Sequence, residues 1–299
     1  MRSSLHVPVL LEETMDFLGV NREGIYVDCT IGLGGHALEL LQQNPKAKLV
    51  GFDLDEQSLL KTKERLMPYA DRVELYHSDF RYLPDLELDF TQIRGILLDL
   101  GLSSYHLDSP ERGFSYNKQG PLDMRMDLRN KTTAAKLVNK SSESNLAQIF
   151  YDWGELRQAR RLAKEIVSRR KIKKIETTTE LLKIVEDVCQ WKPQRGKTHP
   201  AARVFQALRI EINQELKGLS EFFERIVEKI RVKTRIVAVS FHSLEDRIVK
   251  RTFANLASSP NGRAPILKIL TKKPVRPSER EIQQNFRSRS AKLRAAERT

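Results

Sequence analysis

A chain of 299 residues, 40% of them hydrophobic, is long enough for one large α/β domain or a medium domain carrying a smaller one. No apolar run approaches the roughly 18 to 20 residues that cross a bilayer, and the start MRSSLHVPVLLEE meets charge too soon for a signal peptide, which points to a cytoplasmic protein that uses no membrane. Lys and Arg number 52 against 39 Asp and Glu, a formal charge of +13, so polyanions are attracted and nucleic acid leads the partner classes. The two cysteines, Cys29 and Cys189, lie far apart in apolar contexts, a usage that fits a reducing compartment and not a disulfide framework.

Short β-branched runs alternate with helical patterns through the first third of the chain, the signature of βαβ units and a parallel sheet. Strands are predicted at 24–29, 48–53, 72–77 and 94–100, with helices between them, the clearest from Glu56 to Leu66. After Gly101 this alternation stops. Residues 103–127 are rich in Gly, Pro, Asp and Ser, and two amphipathic helices then follow with no strand between them. In the first, Leu146, Ile149, Phe150, Trp153, Leu156, Leu162, Ala163, Ile166 and Val167 recur at helical spacing. The second opens at a capping box, Thr177 to Glu180, and is ended by Pro193. The basic linker KPQRGKTHP (192–200) leads into a helical pattern from Ala201 to Ile230, and strands at 234–241 and 265–273 restore the α/β rhythm. The sheet is therefore split in sequence: residues 1–105 and 201–299 build it, and 106–200 form an inserted all-helical domain.

Residues 27–37, VDCTIGLGGHA, place a glycine-rich turn between the first strand and the next helix. Gly32, Gly34 and Ala37 fit the G-x-G-x-x-A pattern of a dinucleotide site, with Asp53 at the end of the following apolar run; S-adenosylmethionine is the other candidate ligand. Charge separates the two. A pyrophosphate takes the helix N-terminus, where an added carboxylate repels it, and Asp28 stands just before the loop. S-adenosylmethionine has no phosphate and brings an ammonium and a sulfonium. Asp28, Asp53, Asp79 and Asp99 fall at the carboxyl ends of the four predicted strands, a ring of acids that suits a cation. Under either reading Asp53 accepts hydrogen bonds from ribose hydroxyls, and Phe80 is placed to lie against an adenine.

Basic charge is concentrated in two stretches. Residues 157–174 hold nine basic residues and one acid, and 268–298 hold ten and three. Within the second, Arg287, Arg289, Lys292 and Arg294 of NFRSRSAKLR are candidate RNA-phosphate contacts, because the charges repeat on both sides of small polar residues.

HVPVLLEE (6–13), DCTIGLGGH (28–36), ILLDLGLSS (96–104), ERGFSY (111–116), GPLDMRMD (120–127), HPAARVFQALRIEIN (199–213), SFHSLEDRIVK (240–250) and the pattern KKP..PS.RE...N.RSRSAKLR to Arg294 occur in this order. Together they closely resemble the RsmH/MraW family, bacterial methyltransferases that modify the exocyclic amine of a cytosine in 16S rRNA near the ribosomal P site. The resemblance implies a class I S-adenosylmethionine-dependent methyltransferase fold, a Rossmann-like sheet with an inserted helical domain. It also implies cofactor contacts at Gly34, Gly35, His36, Asp53, Phe80 and Asp99, which join Asp28, Gly32 and Asp79 from the charge argument. The family carries a glutamine within SSPQLD. Here SSYHLD puts His106 in that place and Tyr105 in place of the proline; an imidazole still donates one hydrogen bond, from a shorter side chain.

A sulfonium methyl is a strong electrophile, so no metal is required, and the six histidines show no metal-ligand spacing. The cytosine amine is the difficulty, because its lone pair is delocalised into the ring and its N–H groups need acceptors that hold the nitrogen in line. The candidate catalytic residues are Asp99 in LLDLG, Ser103 in the loop after it, and His242 in SFHSLEDR, where a proton acceptor and a histidine that only fixes its loop are alternatives. Tyr105, Phe114, Tyr116 and Phe241 are candidates to sandwich the base. Two other readings stand beside this one: an RNA-binding or assembly protein whose methyltransferase fold has lost activity, and an NAD-dependent oxidoreductase. The expected partners are 16S rRNA in the small ribosomal subunit and, through an apolar face of the inserted helices, a second copy of the chain.

Overall fold

The computed structural model describes residues 8–192, 198–258 and 264–299. Pro193 and the first two residues of the HVPVLLEE motif lie outside them. The chain divides into two compact units, Met1–Gly101 with Leu216–Thr299, and Leu102–Glu215.

The first unit is a seven-stranded sheet of β1 (Gly24–Asp28), β2 (Ala47–Asp53), β3 (Val73–His77), β4 (Ile93–Asp99), β5 (Arg235–Ser240), β6 (Leu267–Ile269) and β7 (Lys292–Arg298). Its order is β3-β2-β1-β4-β5-β7-β6. β1 to β5 are parallel, and β7 runs antiparallel between β5 and β6. The winding reverses at β1 and β4, so the carboxyl ends of those two strands flank the crevice in which a doubly wound sheet binds its ligand. This is the Rossmann-like class I methyltransferase sheet expected from the sequence.

The central strands read as unbroken apolar runs because helices cover both faces. On one face α10 (Leu219–Lys229) and α11 (Ser243–Ala257) bring Phe222, Phe223, Ile226 and Phe253 onto Val27, Ile96 and Leu98. On the other, α1 (Leu11–Leu18) and α2 (Gly35–Gln43) bring Met15, Leu18, Leu40 and Leu41 onto Tyr26, Leu49 and Leu97. Each such side chain contributes about 1.5–3 kcal/mol by leaving water. α3 (Glu56–Arg65) starts at Asp55, whose carboxylate accepts the Gln57 N–H, and α12 (Glu279–Gln284) precedes β7.

The second unit is all helical: α4 (Ser104–Asp108), α5 (Ala134–Lys140), α6 (Glu143–Asp152), α7 (Ala159–Ile172), α8 (Thr178–Cys189) and α9 (Pro200–Asn213). Val138, Phe150, Leu162, Ile166, Leu181, Val185, Val204 and Leu208 form its core. The capping box of α8 is present, with Thr177 Oγ1 accepting the Glu180 N–H and Glu180 accepting the Thr177 N–H. No helix among the described residues is long and apolar enough to cross a membrane.

Four expectations are corrected. The apolar stripe from Leu146 to Val167 belongs to two helices, α6 and α7, because the chain reverses at Gly154 and at Glu155, which has φ 48°. A Cβ on Gly154 would lie 2.6 Å from the Phe150 carbonyl oxygen, so only glycine fits. Likewise the pattern from Ala201 to Ile230 is α9 and α10, separated by Gln214 at φ 52° and Gly218 at φ 72°. The unit boundaries differ from 105/106 and 200/201, since Ala201, Val204, Leu208 and Ile212 of α9 are buried in the helical core. The tail KLRAAER is a strand, β7, whose Leu293, Ala295 and Ala296 are buried, and the expected strand at 265–273 shortens to β6.

Candidate functional site

The turn after β1 is held from several sides. Gly32 and Gly34 have φ 53° and 71°, and the Gly34 N–H closes on the Ile31 carbonyl at 2.8 Å. Thr62 Oγ1 donates to the Gly32 carbonyl at 2.6 Å and Arg65 Nη1 to the Leu33 carbonyl at 3.0 Å, so α3 fixes the outer side of the turn. A Cβ on Gly34 would lie 2.9 Å from Thr62 Cγ2, and one on Gly35 would lie 2.4 Å from Pro8 Cγ; packing from behind demands both glycines. Asp53, ending β2, accepts the Gly32 N–H at 2.8 Å and the Asp55 N–H at 2.8 Å, one on each oxygen.

Around the ends of β1 and β4 the electrostatics are strained. Asp28 is buried and accepts the Thr30 N–H at 3.1 Å. Burial, with the nearby charge of Asp53, pushes its carboxyl up to about 7. Asp99 sits well above the ordinary carboxylate range, first through burial and then through Asp28 and Glu245. Its side chain is a quarter exposed, yet Oδ1 is buried and has no hydrogen-bond partner among the described residues. The backbone N–H of Asp99 donates to Thr30 Oγ1 at 2.6 Å, which ties the two strand ends together. His36, buried in the first turn of α2, has Nε2 3.1 Å from the Val9 carbonyl, so Nε2 is the donor and Nδ1 faces Asp99 Oδ2 at 3.6 Å. Acids that raise one another in this way are relieved by a cation and aggravated by a pyrophosphate.

Asp79 does not join them. Its carboxylate caps the short 3-10 turn Phe80–Asp85 and is taken up by Arg81, whose Nε lies 2.8 and 2.9 Å from its two oxygens; the ion pair spends the charge locally. Phe80, the first residue of that turn, is half-buried with its ring edge-on to Phe222 at 4.9 Å.

His242 caps α11: Nδ1 accepts the Glu245 N–H at 3.4 Å, while the Glu245 carboxylate accepts the N–H groups of Phe241 and His242 at 2.8 and 3.3 Å. With the Nδ1 lone pair spent, Nε2 carries the proton, and it lies 3.1 Å from Glu245 Oε1 outside hydrogen-bond geometry. Of the two alternatives for His242, proton acceptor or loop-fixing histidine, this geometry favours the second.

Ser103 and His106 belong to the helical unit. Ser103 caps α4, its Oγ 3.4 Å from the His106 N–H and 3.1 Å from His106 Nδ1. His106 is buried against Phe114, ring centroids 4.9 Å apart. Of the four basic candidates, Arg287 and Arg289 are exposed. Lys292 and Arg294 are instead consumed by Asp246, at 2.9 and 2.6 Å, and Arg294 is buried; these two are corrected from phosphate contacts to an internal ion-pair cluster. Burial opposes ionisation of Asp246, but the hydrogen bonds from Arg294 and Lys292 prevail and hold its carboxyl below the ordinary range.

Sequence reasoning missed three contributors to the site. Thr30 and Thr62 brace the glycine turn with their hydroxyls, and Glu245 is the second acid, after Asp28, that acts on Asp99. The spacing of His242 and Glu245, a polar cap with an acid three residues on, was the available signal for the last.

Comparison with known proteins agrees with this geometry. Residues 3–299 match the model of the MraW methylase family. "Ribosomal RNA small subunit methyltransferase H" of Thermotoga neapolitana is 46% identical over 297 residues, covering 98% of this chain and 95% of its own. The protein of the same name from Trichodesmium erythraeum is 45% identical over 292 residues, covering 98% of each chain. A match along nearly the full length leaves one conclusion: the chain belongs to the MraW methylase family.

Proposed function

We propose that this chain methylates the exocyclic N4 of a cytosine in 16S rRNA, near the P site of the small ribosomal subunit, with S-adenosylmethionine as the donor. Family membership and the names of its relatives support a methylase of small-subunit ribosomal RNA. The observation that carries the chemistry is Asp99 Oδ1, a buried acceptor without a partner at the end of β4, in a cluster of acids that a cation relieves.

The residues present fit that donor. Asp28 and Asp99 supply the negative charge for its cationic end, Asp53 at the end of β2 offers a carboxylate to ribose hydroxyls, and Phe80 presents an apolar ring for adenine. Bound there, S-adenosylmethionine supplies an electrophilic methyl, which the amine takes with loss of its surplus proton to water. Asp99 has the larger task. Burial and its neighbours push its carboxyl up, a cation nearby favours its ionised form, and Oδ1 is placed to accept an N–H of the amine and orient the nitrogen. The base leaves its stack to reach the site, a cost lowered in irregular RNA. Action on the small ribosomal subunit supports a cytoplasmic location.

The test is methyl-labelled S-adenosylmethionine with small subunits lacking this methyl group, in parallel with naked 16S rRNA, followed by identification of the labelled nucleoside. Label on cytosine N4 is the expected result, and the faster substrate tells whether a folded particle is required. Label on another nucleoside, or none with the cofactor bound, overturns the reading.

A further inference from the structure

Phe286 is 65% exposed, one of few large apolar side chains so placed among the described residues. The guanidinium of Arg289 lies over its ring, 4.5 Å from the centroid. Both belong to the 3-10 turn Phe286–Ser290, which is firmly built: Asn285 Oδ1 accepts the Arg287 N–H at 3.2 Å, Ser288 Oγ donates to the Asn285 carbonyl at 2.8 Å, and the Ala291 N–H closes on the Ser288 carbonyl at 2.7 Å. The ring is therefore presented on a rigid backbone with a cation clamped to it.

Its place in the sheet unit gives this a direction. β7 is antiparallel to β5, with Lys292 opposite Ser240, so the start of β7 stands at the carboxyl end of β5. The turn leads directly into that start. Phe286 thus lies about 12 Å of chain rise from the start of β7, at the same carboxyl edge of the sheet whose β1, β2 and β4 end in Asp28, Asp53 and Asp99. A second tie points the same way: Glu281 of α12 accepts the Leu10 N–H at 2.9 Å, and the carbonyl of the adjacent Val9 contacts His36. The surroundings are strongly basic, since Lys272, Lys273, Arg276, Arg280, Arg287 and Arg289 are all exposed on this stretch and Glu279 is its one exposed acid.

We propose that the Phe286–Arg289 pair is a stacking platform for an unpaired base of the RNA substrate, a nucleotide neighbouring the target, with the surrounding cations following its backbone. The inference rests on the RNA-methylating reading above and deepens it. An aromatic face set in a basic surface is the combination that holds single-stranded nucleic acid, because every base has a face to stack and every link a phosphate. Protein partners lack that periodic negative charge. The platform anchors the strand while the target base is drawn to the crevice.

The test uses the full chain and a short single-stranded RNA carrying one 2-aminopurine, whose fluorescence is quenched on stacking. Phe286→Leu keeps an apolar side chain at an exposed position and removes the aromatic face. It is expected to weaken binding about tenfold and abolish the quench, with Phe286→Trp retaining both. In label transfer, the Leu variant raises KM for RNA and carries the loss there, not in kcat. Quench and affinity equal to wild type in the Leu variant overturn the platform while leaving methyl transfer by the wild type intact. Conversely, a wild type that binds and quenches through Phe286 but labels no cytosine sustains the platform and overturns the methylation reading.

Discussion

The carboxyl edge of the sheet and the helical unit treat their polar groups in opposite ways. Among the described residues, the buried side-chain atoms without a hydrogen-bond partner are Thr14 Oγ1, Arg65 Nε, Asp99 Oδ1 and His242 Nε2, all in the sheet unit. Three of them lie on the loops and helices that frame the strand ends. The helical unit satisfies its own: Asn213 Nδ2 donates to the Met124 carbonyl at 2.8 Å, Asn139 Nδ2 to the Ile175 carbonyl at 2.7 Å, and Thr178 Oγ1 to the Lys118 carbonyl at 2.7 Å. A buried polar atom left unpaired costs about 1–3 kcal/mol, so the sheet unit carries a cost that the helical unit avoids.

The difference can be broken from either side. In the helical unit, Phe150→Ala empties a fully buried position and is expected to destabilise by about 3–5 kcal/mol, read by denaturant unfolding. At the sheet edge, Asp99→Ala should do the reverse, leaving the melting temperature unchanged or raised while single-turnover label transfer at saturating cofactor falls about 10²–10³-fold. A large loss of stability in Asp99→Ala would sink the contrast.

The pH dependence sharpens it. The folded carboxyl of Asp28, at about 7, lies above its unfolded value, so its contribution to stability is present at acid pH and is lost as pH rises toward 7. Cofactor binding has the opposite sign, because a cation prefers the carboxylate. Affinity should be full above pH 7 and fall by up to about tenfold per pH unit below it, and Asp28→Asn should flatten that profile in calorimetry. The smallest effect is in the helical unit, where Thr177→Ala removes the cap of α8 and is expected to cost about 1 kcal/mol in thermal unfolding, with cofactor affinity unchanged.

Much of the fold was legible because its signals are local. β1, β2, β4 and β5 are apolar runs ended by turn residues, and the capping box at Thr177 is four consecutive residues. The helix breaks at Gly154–Glu155 and Gln214–Gly218 were not legible, since a single glycine is a weak breaker and apolar spacing continues across both breaks. Of the site, the glycine turn and Asp28, Asp53 and Asp99 could be read from their places at strand ends. Asp79 has the same place and a different fate, because Arg81, two residues on, claims its charge.

By itself the sequence determined that a parallel sheet forms, that it is interrupted by helices, and that acids gather at its strand ends, for these follow from side-chain period and order along the chain. Tertiary structure alone decided which of the basic charges are buried and which face solvent. Arg287 and Arg294 are close together in one basic run, yet Arg294 is buried on Asp246, 48 residues away in sequence, and Arg287 is exposed. Antiparallel pairing of β7 with β5 sets Arg294 against the helix that follows β5, and an ion pair forms wherever folding brings opposite charges into contact, at whatever separation in sequence. The same pairing delivers Phe286 and Arg289 to the edge of the sheet where the strand-end acids lie.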